Sequence, residues 1–364
     1  MPGPDITRPK NKGARNFALR CVVAALLATL AQPVAGRAEW RAGQTQGGAV
    51  QSSAPQPPQS PSGTAAAPAA PSSPQETQQE NGTFVIRKDV DEVLLHATVV
   101  DDKQRIVTDL DQNAFTVYED GKVQNIISFH HEDIPVAMGI VIDNSGSMRE
   151  KRAKVNQAAL NLVRSSNPQD EVFVVNFNDE YYLDQDFTND LLKLKEALEK
   201  IEAKGGTALY EAVVASAGNF RFARLERKVL FVVTDGEDNA SRETLEQAVK
   251  QLQVENGPSV YAIGILGDEE HPKRARRALE IIAQRTGGLA FFPKTLDEVD
   301  AISRQVAHDI RNQYTIGYKP TNPKGTGGFR TIRVEAKAKG HGKMAVRTKS
   351  GYYAVGQGAA PGTR

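Results

Sequence analysis

Three short stretches of this chain put hard oxygen side chains where a cation could be held. The first is Asp143-Asn-Ser145-Gly-Ser147, a carboxylate and two hydroxyls at alternate positions. Gly146 between the serines lets the loop turn tightly enough for the three oxygens to converge. Thr207 follows Gly205-Gly206, and Asp235 stands in Thr234-Asp235-Gly236 at the end of an apolar run. Five oxygens, three of them neutral hydroxyls, suit magnesium, with manganese or calcium as the other hard divalent candidates. Two carboxylates neither fill an octahedron nor fully hide the ion's charge. Water, or a carboxylate presented by a protein partner, therefore takes the open position. Glu237 and Asp238 follow Asp235 closely. They either tune the metal and bar the wrong partner, or are solvated acids that open a loop with Asn239.

Other chemistries fit these residues less well. Asp and Ser also cap helices, but a cap explains one or two oxygens and leaves Thr207 and Asp235 without a purpose. A phosphotransferase of the haloacid dehalogenase type needs a second Asp two residues after the nucleophile, where this chain has Ser145. Ser145 also lacks the Gly-x-Ser-x-Gly setting of a serine hydrolase. His130-His131-Glu132-Asp133 is consecutive and ends at Pro135, without the spacing that puts two histidines on one helix face; it reads as a polar junction. The basic run Lys273, Arg274, Arg276, Arg277 alternates with Ala275 and Ala278 ahead of Leu279, the wet face of an amphipathic helix and not a nucleic-acid patch. The single cysteine, Cys21, lies near the N-terminus, so cysteine catalysis and cysteine-based zinc sites are excluded for the rest of the chain.

The elements that must position the oxygens follow from hydrophobic pattern. Val136–Ile142, Val172–Val175, Val229–Val233 and Val260–Ile265 are nearly continuous apolar runs, and Leu289–Phe292 is a fifth. Between them lie amphipathic stretches through Val155, Ala159 and Leu162, through Leu191, Leu194 and Leu198, from near Ala208, through Leu245, Val249 and Leu252, over 275–285, and to about Arg311. Bare apolar strands alternating with helices predict an α/β fold with a doubly wound, mostly parallel sheet covered on both faces. In such a sheet ligands collect where loops leave the carboxyl ends of strands, where Asp143 and Asp235 stand. On either side the pattern has period two. Val93, Leu95, Ala97 and Val99, then Phe115 and Val117, lead through Glu119-Asp120-Gly121-Lys122, a hairpin turn, to Ile126, Ile127 and Phe129. Tyr314, Ile316, Tyr318, Ile332, Val334 and Ala336 alternate in the same way. Neither flank is large enough to be secure alone, which predicts one discontinuous β-sandwich, residues 83–135 and 312–355, with the α/β domain at 136–311 inserted.

Together, Asp-x-Ser-x-Ser, the later Gly-Gly-Thr and the strand-terminal Thr-Asp-Gly resemble the metal-ion-dependent adhesion site (MIDAS) of von Willebrand factor type A (vWA) domains, integrin-type inserted domains included. The resemblance covers about Val136 to Arg311. It implies that Asp143, Ser145, Ser147, Thr207 and Asp235 are the metal ligands, some of them through water. The flanks, with Ile106-Val-Thr-Asp-Leu, Phe115-Thr-Val-Tyr-Glu-Asp-Gly-Lys, Gln313-Tyr-Thr-Ile-Gly-Tyr-Lys-Pro and Ser350-Gly-Tyr-Tyr, are similar to secreted bacterial vWA-related proteins. Many extracellular vWA domains are closed by a cysteine pair; this chain has none. The implied function is metal-dependent, adhesion-type protein binding without catalysis. A structural cell-envelope protein with a vestigial site is the alternative, and a metal-dependent hydrolase a more distant one.

The N-terminus adds an address. Lys10, Lys12, Arg15 and Arg20 precede the apolar run Cys21–Ala31, and small residues follow around Gly36-Arg37-Ala38. Residues 1–38 thus read as a secretory signal peptide, too short in its apolar part to span a bilayer permanently. The protein is then secreted or periplasmic. Cleavage after Ala38 leaves 39 basic against 43 acidic side chains, so no global field attracts nucleic acid. Residues 39–82, rich in Gln, Ser, Ala and Pro, predict a semi-extended tether, and 356–364 a disordered tail.

Overall fold

The computed structural model describes residues 92–200, 202–267, 271–322 and 326–354. The expected signal peptide, tether, first residues of the β unit and C-terminal tail lie outside them. In chain order the N-terminal flank gives β1 (Val93–Val100), β2 (Phe115–Glu119) and β3 (Lys122–His130). The centre gives β4 (Ala137–Asp143), α1 (Arg152–Ser165), β5 (Glu171–Phe177), β6 (Tyr181–Thr188), α2 (Leu191–Glu199) and α3 (Leu209–Asn219). It continues with β7 (Lys228–Thr234), α4 (Leu245–Leu252), β8 (Ser259–Gly264), α5 (Pro272–Thr286), β9 (Ala290–Phe291) and α6 (Glu298–Arg311). The C-terminal flank adds β10 (Tyr314–Lys319), β11 (Gly328–Ala336), β12 (Ala345–Arg347) and β13 (Gly351–Ala354).

The central sheet has the order β6-β5-β4-β7-β8-β9. β4 is buried along its whole length because both faces are covered. Met138, Ile140 and Ile142 point into a core shared with α1, α2 and α6; Ala137 and Val141 point into a second core with α3, α4 and α5. β6 runs antiparallel to β5, so the sheet is mixed. This edge strand is absent from the apolar pattern. Its sequence, Tyr-Tyr-Leu-Asp-Gln-Asp-Phe-Thr, is half exposed and half partly buried, with no buried face to advertise it.

The flanks do not form the expected sandwich. They interleave in a single antiparallel sheet of order β12-β1-β10-β3-β2-β11-β13. β10 inserts between β1 and β3, pairing Leu95 with Ile316 and Ile316 with Phe129, and β11 pairs with β2, placing Val117 opposite Val334. The sheet curls over one apolar face until β11 comes alongside β12. Alternation marks which face is buried, but not whether it is covered by a second layer or by the sheet's own curl. The hairpin between β2 and β3 is turned by Asp120 and Gly121, both with positive φ (48° and 78°). Inside the curl, Glu119 accepts from Arg330, Tyr318 and Tyr352, four buried side chains from four strands.

A buried polar seam joins the two sheets. Gln313, just past α6, accepts from Arg227 at 2.6 Å and donates to Tyr261 at 2.9 Å and Thr98 at 3.3 Å. Tyr261 and Arg347 both donate to Asp309, each at 2.5 Å. The expected polar junction at 130–133 lies on the same side: His131 stacks on Tyr314 and Asp133 pairs with Arg311 at 2.7 Å. Arg227 is adjacent to the amino ends of β4 and β7, since its carbonyl accepts from Ala137 N–H. The antiparallel sheet is thus fixed at one end of the central sheet, and the carboxyl ends of β4 and β7 lie roughly 20 Å away at the other, at about 3.3 Å per residue.

Candidate metal centre

Three loops meet at that free end. The first leaves β4 at Asp143, passes Ser145 and Ser147 and enters α1. The second, 202–207, precedes α3, and the third leaves β7 at Thr234. Backbone bonds fasten them: Gly146 N–H donates to Gly205 O (3.2 Å), Lys204 N–H to Asn144 O (2.9 Å), and Asn239 N–H to Thr207 O (3.0 Å). Gly205 has φ of 80°, and a Cβ there would lie 2.1 Å from Asp179 Oδ2, so the second loop can approach only with glycine. Asp179 reciprocates by accepting from Gly206 N–H at 2.9 Å.

The side chains converge within this frame. Asp143 is fully buried; its Oδ1 accepts from Ser145 N–H (2.8 Å) and its Oδ2 from the Thr234 hydroxyl (2.6 Å). Ser145 Oγ lies 3.1 Å from Ser147 Oγ, which donates to Asp235 Oδ1 at 2.8 Å. Oxygens at adjacent corners of a magnesium octahedron are about 3 Å apart for bonds near 2.1 Å, so this chain of donors has the spacing that such an ion needs. Ser147 is exposed while Asp143, Ser145, Thr207 and Asp235 are buried, which leaves one mouth toward solvent. Burial pushes the Asp143 carboxyl up to about 6; the bonds from Thr234 and Ser145 oppose that, and the nearby Asp235 charge adds to it. Arg152, lowered to about 10 by its own burial, supplies an opposing positive field to Asp143 and Asp184. Among the described residues no group of three or more His, Cys, Asp and Glu side chains gathers as a metal cluster. A cation here would rest on two carboxylates and on hydroxyls.

Residues 138–237 match the sequence profile of the von Willebrand factor type A domain. The chain carries a vWA domain. Among solved structures it is similar to a von Willebrand factor type A protein from Catenulispora acidiphila, at 16% identity over 74% of each chain and a TM-score of 0.44. A second is the PilB minor pilin from Streptococcus sanguinis, at 14% identity, 50% of this chain, 62% of that one and a TM-score of 0.42. A third is the vWF domain of the type V pili tip protein Mfa5 from Porphyromonas gingivalis, at 13% identity, 49% of this chain, 95% of that one and a TM-score of 0.41. The alignment thus spans less than two thirds of the minor pilin's length. No curated protein matches the sequence.

Within the vWA domain, four of the five expected ligands are joined by hydrogen bonds: Asp143 accepts from the Ser145 backbone N–H, and the side chains of Ser145, Ser147 and Asp235 follow in a chain. Thr207 is buried but bonds to none of these four; its backbone N–H donates to Asn239 Oδ1 at 2.9 Å. Glu237 turns away to Arg274, 3.8 Å distant, and Asp238 accepts from Tyr210 N–H (2.8 Å) and Ser241 N–H (3.1 Å). Asp238 therefore ties the third loop to the start of α3 and so fixes the helix that follows Thr207. Four contributors escape a reading by residue type: Thr234, Asn239, Asp179 and Lys151, whose ammonium lies 2.5 Å from Asp235 Oδ2. Thr234 and Asn239 lie in or beside the motif, and a neighbour that donates to Asp143 was there to be found. Nothing local marks Asp179 or Lys151.

Proposed function

We propose that this is an exported, non-enzymatic protein-binding protein whose vWA domain, on a doubly wound sheet, holds a divalent cation and offers its open position to a carboxylate of a protein partner. Magnesium is the ion of choice, with manganese or calcium able to replace it. Asp143, Ser145, Ser147, Thr207 and Asp235 are the ligands, some through water. The observation that carries the reading is the run of oxygens Ser145–Ser147–Asp235 beside buried Asp143, at an octahedron's spacing and opening to solvent at Ser147. When bound, the ion would supply an open, electrophilic coordination position at that mouth; the chain's own residues hold it, orient it and keep bulk water from its inner side. With the antiparallel sheet fixed at the far end, the loop face is left clear for a partner. Among the described residues no helix is long and apolar enough to cross a membrane.

Magnesium titrated calorimetrically into the mature protein should bind to wild type and not to Asp143→Ala. A carboxylate-bearing partner should then be retained in magnesium and released by chelator. Equal heats in the two proteins, or none in either, would leave the vWA fold without its metal chemistry. A vestigial site in a structural envelope protein has one observation in its favour, the Lys151 ammonium already resting on Asp235. That contact leads to a sharper statement about the same site.

A further inference from the structure

Asp235 has no exposed side-chain surface, and both its oxygens are engaged: Oδ1 accepts from Ser147, and Oδ2 lies 2.5 Å from the Lys151 ammonium, itself 14% exposed. Lys151 is the residue that caps the amino end of α1, followed by Arg152. Positive side chains are disfavoured there, because the helix dipole already places partial positive charge at that end, and α1 has no acidic residue in its first turn to offset them. Helix formation therefore does not explain the pair, but the buried acids do. Arg152 is buried within the field of Asp143 and Asp184, and Lys151 reaches across to the third loop.

A divalent ion bound to Asp235 and an ammonium on the same carboxylate would be like charges a few ångströms apart, and they repel strongly in a site so poorly exposed to water. Each therefore weakens the hold of the other on Asp235. Lysine, a compact charge on a flexible four-carbon stem, can withdraw toward the solvent that it already touches.

We propose that Lys151 is a built-in counter-ion that a divalent cation must displace from Asp235, so that the site alternates between a lysine-closed and a cation-loaded state. The inference rests on the metal reading above. Lys151 then sets the metal concentration at which the site opens to a partner. Without metal it neutralises a carboxylate that would otherwise be buried alone.

The test is calorimetric titration of magnesium into the mature wild-type chain, Lys151→Met and Lys151→Arg, with thermal melts in chelator and in saturating magnesium. Lys151→Met should bind magnesium about tenfold or more tightly than wild type, while Lys151→Arg, which keeps the charge, should not gain. In chelator Lys151→Met should melt below wild type, and the gap should close or reverse in magnesium; Lys151→Gln serves if the Met variant does not fold. Magnesium affinity in Lys151→Met equal to or weaker than wild type, with a melting gap that magnesium does not change, would mark Lys151 as a fixed structural partner and overturn the inference while leaving the metal reading intact. No binding in any variant overturns both.

Discussion

Replacing Asp143 by Asn should make the metal-free protein more stable while abolishing its response to magnesium. Burial raises the Asp143 carboxyl from an ordinary 3.8 to about 6. A folded-state pKa above the unfolded one means that the folded chain holds the proton more tightly. The associated stability is complete below about pH 4 and is lost as pH rises through about 6. At pH 7 the ionised group thus costs roughly 3 kcal/mol relative to a protonated one, at about 1.36 kcal/mol per unit. The Asn carbonyl cannot accept both from Ser145 N–H and from the Thr234 hydroxyl as Asp143 does, and one lost bond costs about 1 kcal/mol. The net expectation is a gain of about 1–2 kcal/mol in chelator at pH 7, or a few degrees in melting temperature for a chain of this size. Urea unfolding at pH 7 and pH 5 measures it; at pH 5, between the two pKa values, the advantage of Asn should shrink by about 1.4 kcal/mol. In magnesium at a hundredfold excess over the dissociation constant, wild type should gain about 2.7 kcal/mol and the variant nothing. An Asn variant less stable than wild type in chelator at pH 7, or one that gains equally from magnesium, would refute the argument.

Three further outcomes follow from other parts of the molecule. Glu119→Ala leaves Arg330, only 1% exposed, without its carboxylate, and should lower unfolding free energy by about 3–5 kcal/mol; Glu119→Leu with Arg330→Met should recover much of it. Burial, with the charges of Arg227 and Lys349, holds the imidazole of His96 well below its ordinary value. The unfolded chain therefore takes the proton first: stability is present above about pH 6.5 and is lost as pH falls below it, by up to about 1.4 kcal/mol per unit. The wild-type minus His96→Gln difference in urea unfolding between pH 7 and pH 5 should show that loss. N-terminal sequencing of the exported protein should find a start between Arg37 and Arg41, and an intact Met1 in the membrane fraction would contradict the signal peptide.

The central strands were legible because burial on both faces leaves them no polar positions: Val229–Val233 and Val136–Ile142 admit no other placement. β6 was not, because Tyr181, Tyr182 and Leu183 stand at an edge in solvent, where pattern and burial part company. In the flanks, period two identified the faces of β1 and β10. It could not reveal that β10 would insert between β1 and β3, since pairing order depends on strands far apart in sequence. Around the candidate site, the grouping of Asp143, Ser145 and Ser147 was legible because one loop carries them, and the placing of Asp235 because it directly follows a buried strand. Lys151 was invisible for the opposite reason. Its meaning depends on a carboxylate eighty-four residues away, and along the chain it reads as one more basic residue at the edge of a helix.

The central claim, a divalent cation among these five oxygens, is tested most directly by anomalous diffraction from crystals of the mature protein grown with manganese. The account predicts a single strong peak among Asp143, Ser145, Ser147, Thr207 and Asp235, within direct or one-water reach of each, with the Lys151 ammonium moved off Asp235. A map with no peak there at saturating manganese, and Lys151 still paired with Asp235, would contradict it.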